Sequence, residues 1–103
     1  MAWYIYVAYF FAGLFVVNGI PHFLNGVSGR RFQTPFASPP AAGESSPLVN
    51  VVWGLVNFAV GYGLLFCIGD FTLQPGLDVV IAGLGCLVAA VALSVYFGRV
   101  RSR

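Results

Sequence analysis

Apolar residues gather in three long runs, Trp3 to Leu24, Leu48 to Ile68 and Leu77 to Phe97, parted by Gly/Pro-rich or polar stretches. Each run is about 21 residues, and at about 1.5 Å of rise per residue each matches a hydrocarbon slab about 30 Å thick. The apolar positions occupy the whole helical circumference, whereas a helix on the outside of a water-soluble bundle keeps one polar face. The pattern predicts an all-α integral membrane protein with three transmembrane helices, over about 3–24, 48–68 and 77–97. Residues 1–103 form one domain, with no soluble module attached.

Composition agrees. The chain is 59% hydrophobic with eight charged residues and no lysine, too few to cover a globule of this size with a solvated surface. A net charge of +2, split between two places, excludes a nucleic-acid partner and leaves membrane lipids as the expected surroundings.

The arginines set the orientation. Arg30 and Arg31 follow the first run, and Arg99, Arg101 and Arg103 follow the third, whereas the gap from Gly69 to Gly76 has none. Cytoplasmic loops retain Arg and Lys, so the N-terminus is expected outside and the C-terminus in the cytoplasm, with these five arginines touching anionic head groups. The opening run lacks a basic n-region and is about twice the length of a signal core, so it reads as a retained helix. Small size and absence of lysine point to a bacterial inner membrane.

The cytoplasmic connection, about 25–47, is rich in Gly, Ser and Pro and carries Pro35, Pro39, Pro40 and Pro47. It is expected to lie on the head-group layer, with Phe32 and Phe36 inward and Arg30 and Arg31 outward. At its end, Ser46 reads as a helix cap and Pro47 as the first helical residue, where a missing N–H is harmless. On the other side, a gap of about eight residues predicts that helices 2 and 3 form an antiparallel hairpin. Gly61 and Gly63 would then lie at the same depth as Gly83 and Gly85, inviting a close crossing. Ala82, Cys86, Ala90 and Ser94, spaced by four, form a second small-residue face free for another chain or another copy.

Within the runs the polar residues are few: Asn18, His22, Asn50 and Asn57. The first two share one face at the cytoplasmic end of helix 1, Asn50 opens helix 2 at that level beside Trp53, and Asn57 lies deeper on the same face. A buried amide left unpaired in hydrocarbon costs several kcal/mol, so these groups must face protein, water or a ligand. One expectation is that the amides tie helices 1 and 2 together; the other is a small polar pocket around His22, bent open by Pro21.

Catalytic signatures are missing. Glu44, Asp70 and Asp78 fall in loops or at a helix start, and no nucleophile elbow, phosphate loop or Cys-x-x-Cys is present. Cys67 and Cys86 sit at different depths and are not expected to bridge. One histidine without an intramembrane acid predicts no metal site and no cofactor within one chain, although haem, a pigment or a quinone between copies is compatible with it. Trp3, Tyr4, Tyr6 and Tyr9 form an interfacial belt at the outer end, as Tyr96 and Phe97 do at the inner end. The expected role is helix packing without enzymatic activity, as an accessory subunit of a larger membrane complex or as a homo-oligomer. The alternative is an oligomeric transporter or channel whose polar path is Asn18, His22, Asn50 and Asn57.

Overall fold

Ser46 and Pro47 start a helix as their chemistry requires: the Ser46 hydroxyl accepts from the Val49 N–H at 3.2 Å, and Pro47 is the first helical residue. In the computed structural model, which describes residues 2–102, α1 spans Trp3–Val27, α2 Pro47–Phe66 and α3 Leu77–Arg101. All three are long and apolar enough to cross a membrane. The fold is all-α except for one two-residue ladder in the α1–α2 connection, where β1 (Phe32–Gln33) pairs antiparallel with β2 (Glu44–Ser45).

Two helices run past the expected ends. Asn25-Gly26 does not stop α1, because Gly26 is buried where a Cβ would meet the Pro47 carbonyl at 2.7 Å. The chain turns instead at Gly29 (φ 73°), with the Gly29 N–H on the Gly26 carbonyl and the Arg30 N–H on the Asn25 carbonyl at 2.8 Å. These bonds make a Schellman cap. Helix α3 gains a turn because Arg99 and Arg101 suit its negative C-terminal end and Arg101 finds partners in the loop.

The expected close hairpin of α2 and α3 is not formed. Both helices pack on α1 and hardly touch each other. A Cβ on Gly19 would meet the Gly54 carbonyl, and one on Gly61 would meet Val16, so α2 runs antiparallel to α1. A Cβ on Gly13 would overlap the Ala82 carbonyl and one on Gly85 the Phe10 carbonyl, and farther along both helices His22 meets Phe97 at 6.3 Å between centroids, so α3 runs parallel to α1 along another face. Gly63 and Gly83 face open space. The glycines at equal depth therefore do not meet; Gly61 and Gly85 each serve a separate seam with α1.

The second small-residue face is also reassigned. Ala82 and Cys86 lie against Gly13, while Ala90 and Ser94 stay exposed beside Val17 and Pro21. Of the outer aromatic belt, Trp3 and Tyr4 are exposed, but Tyr9 is fully buried, edge-on to Phe71 at 5.2 Å. The turn after α2 folds back over α1 there, with Gly69 against Ile5 and Tyr9.

The connection between α1 and α2 does not spread outward; it folds into a cap. Phe32, Gln33 and Thr34 are buried against the helices, and the Thr34 backbone closes the cap through Gly43 and Ala41. The Thr34 and Ser45 hydroxyls bond each other beside the ladder. Phe32 points inward as expected, but onto His22 and Phe97, with the Arg101 guanidinium 5.3 Å above its ring. Phe36 remains exposed and meets Trp53 edge-on. Helix α3 holds the cap through Tyr96 Oη to the Ala41 carbonyl at 2.9 Å and Arg101 to Gln33 Oε1 at 3.0 Å.

Candidate binding site beneath the cap

Asn50, Gly54, Asn57 and Gly61 recur at steps of four and three, one buried stripe of α2 facing α1. Small residues in that stripe bring the backbones together, and the amides between them must then be satisfied across the seam. Asn57 Nδ2 donates to the Trp53 carbonyl at 2.8 Å, which turns its Oδ1 toward α1; there it accepts from Asn18 Nδ2 at 2.8 Å.

Asn50 is fixed more tightly. Its Nδ2 faces the carbonyls of Phe32, Ser45 and Ser46 at 3.1–3.2 Å, and its Oδ1 lies 2.9 Å from His22 Nδ1. Three carbonyls can only accept, so the amide nitrogen is the atom that faces them. Oδ1 therefore faces the imidazole and also accepts, which puts the proton on Nδ1 and the lone pair of the neutral ring on Nε2. One side chain thus joins α1, α2 and both strands of the cap.

His22 is 2% exposed and ringed by aromatic edges: Phe32, Phe97 and Trp53, with centroids 5.4, 6.3 and 6.4 Å away. Beside it lies a cavity of about 240 Å³ between all three helices and the cap. Its wall is mostly apolar, from Pro35, Ala41, Leu93, Tyr96 and Phe97, with Asn18, His22, Gln33, Thr34 and Trp53 supplying polar groups. The Trp53 Nε1–H is buried without an acceptor among the described residues.

Of the five residues expected at the polar pocket, Asn18, His22 and Trp53 line this cavity, whereas Asn50 and Asn57 do not line it and instead bond His22 and Asn18 in the α1–α2 seam. Sequence reasoning missed Gln33 and Thr34 from the cap and Leu93 from α3. A signal for the cap was present: Phe32-Gln33-Thr34 is a short run between Arg31 and Pro35, the pattern of a brief extended segment bounded by turn formers. Of the arginines, Arg30, Arg31, Arg99 and Arg101 are exposed at this end of the molecule, and Arg103 lies outside the described residues. Arg30 and Arg31 also bond locally, to Asn25 Oδ1 and the Glu44 carbonyl.

Metal chemistry has no grouped ligands: among the described residues no three His, Cys, Asp or Glu side chains converge. Cys67 and Cys86 are both free thiols. The arrangement can hold a small molecule with an apolar body and one polar group, since most of the wall offers contact area and few groups offer hydrogen bonds. No family model, no curated protein and no solved structure matches this chain.

Proposed function

We propose that this chain is a non-enzymatic, three-span protein of the bacterial inner membrane that binds a small, largely apolar molecule beneath its cap. In this reading the N-terminus is outside, the cap and C-terminus are cytoplasmic, and the ligand enters at the inner head-group level. The observation that carries it is the cavity of about 240 Å³ between the helices and the cap, whose wall is mostly apolar and includes His22, Trp53, Tyr96 and Phe97. An apolar cavity of about 150 Å³ already accepts benzene, so this one has room for a substituted ring.

Toluene titrated into the full-length protein in nanodiscs tests the reading. Trp53 and Trp3 are the only tryptophans, and Trp3 is exposed at the far end, so it serves as an internal control for toluene dissolved in lipid. The expected result is a saturable shift of the Trp53 indole N–H resonance without a matching shift at Trp3. Parallel, unsaturable shifts of both would remove the site.

A second reading, an accessory subunit or homo-oligomer, is favoured by α3. It touches the rest of the chain mainly through α1, and only Gly85 and Ala89 of its residues are buried. Co-purification of a defined oligomer or partner in mild detergent supports that role; a monomer in detergent and in nanodiscs counts against it. A transport path is less well supported, since Asn18, Asn50 and Asn57 spend their hydrogen bonds on each other, on His22 and on the backbone.

A further inference from the structure

Helix α1 stands behind the cavity with His22, α2 and α3 flank it with Trp53 and with Leu93 and Tyr96, and the cap roofs it with Thr34 and Ala41. The roof is pinned to α3, because Tyr96 Oη donates to the Ala41 carbonyl at 2.9 Å and Arg101 to Gln33 Oε1 at 3.0 Å. The flanks are not pinned to each other: α2 and α3 both pack on α1 and hardly touch. The side of the cavity facing away from α1 therefore has no helix across it.

That mouth lies at the depth of lipid tails. Trp53 follows the first residue of α2, Pro47, by six positions, and Leu93 precedes the last residue of α3, Arg101, by eight, which are depths of about 9 and 12 Å at about 1.5 Å of rise per residue. Both edges of the mouth face outward as well. Tyr96 is 41% exposed, and Trp53 also borders a groove along α2 whose other lining residues, Phe36, Leu48, Val49, Val52 and Val56, are all apolar and exposed.

The wall and the medium at the mouth together select what fills the space. Apolar wall atoms with nothing beside them forfeit dispersion contacts, whereas water enters only where each molecule finds about two to four polar partners. This wall is mostly apolar, and Asn18, His22 and Gln33 already spend hydrogen bonds on Asn57, Asn50 and Arg101. Hydrocarbon is what meets the open side. We infer that the resident ligand is an acyl chain of a membrane phospholipid, inserted sideways between α2 and α3. Since a cavity of about 150 Å³ accepts benzene, one of about 240 Å³ holds roughly ten carbons of such a chain. The inference rests on the reading above that the cavity takes an apolar guest, and it names the class of guest and its route.

The test places the perdeuterated full-length protein, with ¹³C,¹⁵N-labelled histidine and asparagine, in nanodiscs of protonated phospholipid and follows magnetisation from acyl CH₂ protons into the protein. His22 is the only histidine, so its cross-peaks report the cavity wall; Asn57, fully buried and off that wall, is the control for relayed magnetisation. Acyl cross-peaks are expected at His22 at short mixing times, with none at Asn57, and they should vanish when the acyl chains are deuterated. Water cross-peaks at His22 in place of acyl ones, no cross-peaks from either source, or equal acyl peaks at His22 and Asn57 overturn the acyl-chain assignment. If toluene still shifts Trp53 saturably in that event, the cavity stands as a site without a resident lipid; if toluene fails too, the site falls with the inference. Acyl peaks at His22 without a saturable toluene shift confine the cavity to lipid and remove the small-molecule reading alone. No variant is needed, so a folding defect cannot mask the answer.

Discussion

His22 Nδ1 and Asn50 Oδ1, 28 residues apart in the chain, lie 2.9 Å from each other in the buried seam between α1 and α2. The same Asn50 holds three carbonyls of the cap and the α2 start, so the imidazole, the helix pair and the lid over the cavity share one polar hub. Asn50→Leu should therefore cost more than loss of a single bond, about 2–4 kcal/mol, because it orphans buried carbonyls and the Nδ1–H together. Unfolding of the purified protein in mixed micelles measures it. Asn18→Ala, which removes one interhelical bond, should cost only about 0.6–2 kcal/mol.

The glycines separate sharply by position. Gly19→Leu and Gly85→Leu should each destabilise the fold by about 3 kcal/mol or more, since a side chain there meets the Gly54 or Phe10 backbone, which cannot swing aside. Gly63→Leu and Gly83→Leu, where a Cβ meets nothing within 4 Å, should stay within about 0.5 kcal/mol of the parent. A loss at Gly63 or Gly83 as large as at Gly85 would restore the direct α2–α3 crossing.

Tyr96→Phe and Arg101→Ala should loosen the cap without unfolding the helices. Each removes a link from α3 to the loop, worth about 0.5–1.5 kcal/mol for the neutral Tyr96 bond to Ala41 and up to about 3 kcal/mol for the charged Arg101 bond to Gln33. Hydrogen exchange should rise across Phe32–Ser45 by about a factor of two to ten, with α1 and α2 unchanged. Uniform exchange across the protein would mean that the contacts hold the bundle and not the lid.

The three helices were legible because each apolar run is long and repetitive, and the start of α2 because Ser46-Pro47 carries its own capping chemistry. The polar site was legible too: in an apolar helix an amide has few ways to be satisfied, so Asn18, His22, Asn50 and Asn57 had to find one another or a ligand. What stayed hidden was partner choice among the helices. A short connection between α2 and α3 was read as direct contact, yet a turn only keeps two ends near, and glycine rows decide which faces close. Ala12, Gly19 and Gly26 on α1 recur every seven residues, as Gly54 and Gly61 do on α2, a seam readable from spacing alone. The cap escaped because its ladder is two residues per strand and draws its stability from tertiary partners: Asn50, Phe97 and Arg101.

That seam also makes a distance prediction. Spin labels near the ends of α1 and α2 should report an antiparallel pair in direct contact, with Val27 near Leu48 and Tyr4 near Phe66, whereas α3 should run alongside α1 in the same direction. Pulsed dipolar measurements in nanodiscs check both, and an α3 antiparallel to α1 would contradict the packing.

Sidedness is the most direct test, because every argument about buried amides assumes that hydrocarbon surrounds the helices. In a Cys67→Ala, Cys86→Ala background, single cysteines at Leu73, in the exposed α2–α3 turn, and at Ser102, after α3, are treated with a membrane-impermeant maleimide in sealed, inside-out vesicles. The account predicts labelling at position 102 and protection at position 73 until the vesicles are opened. Labelling of both positions in sealed vesicles would contradict it.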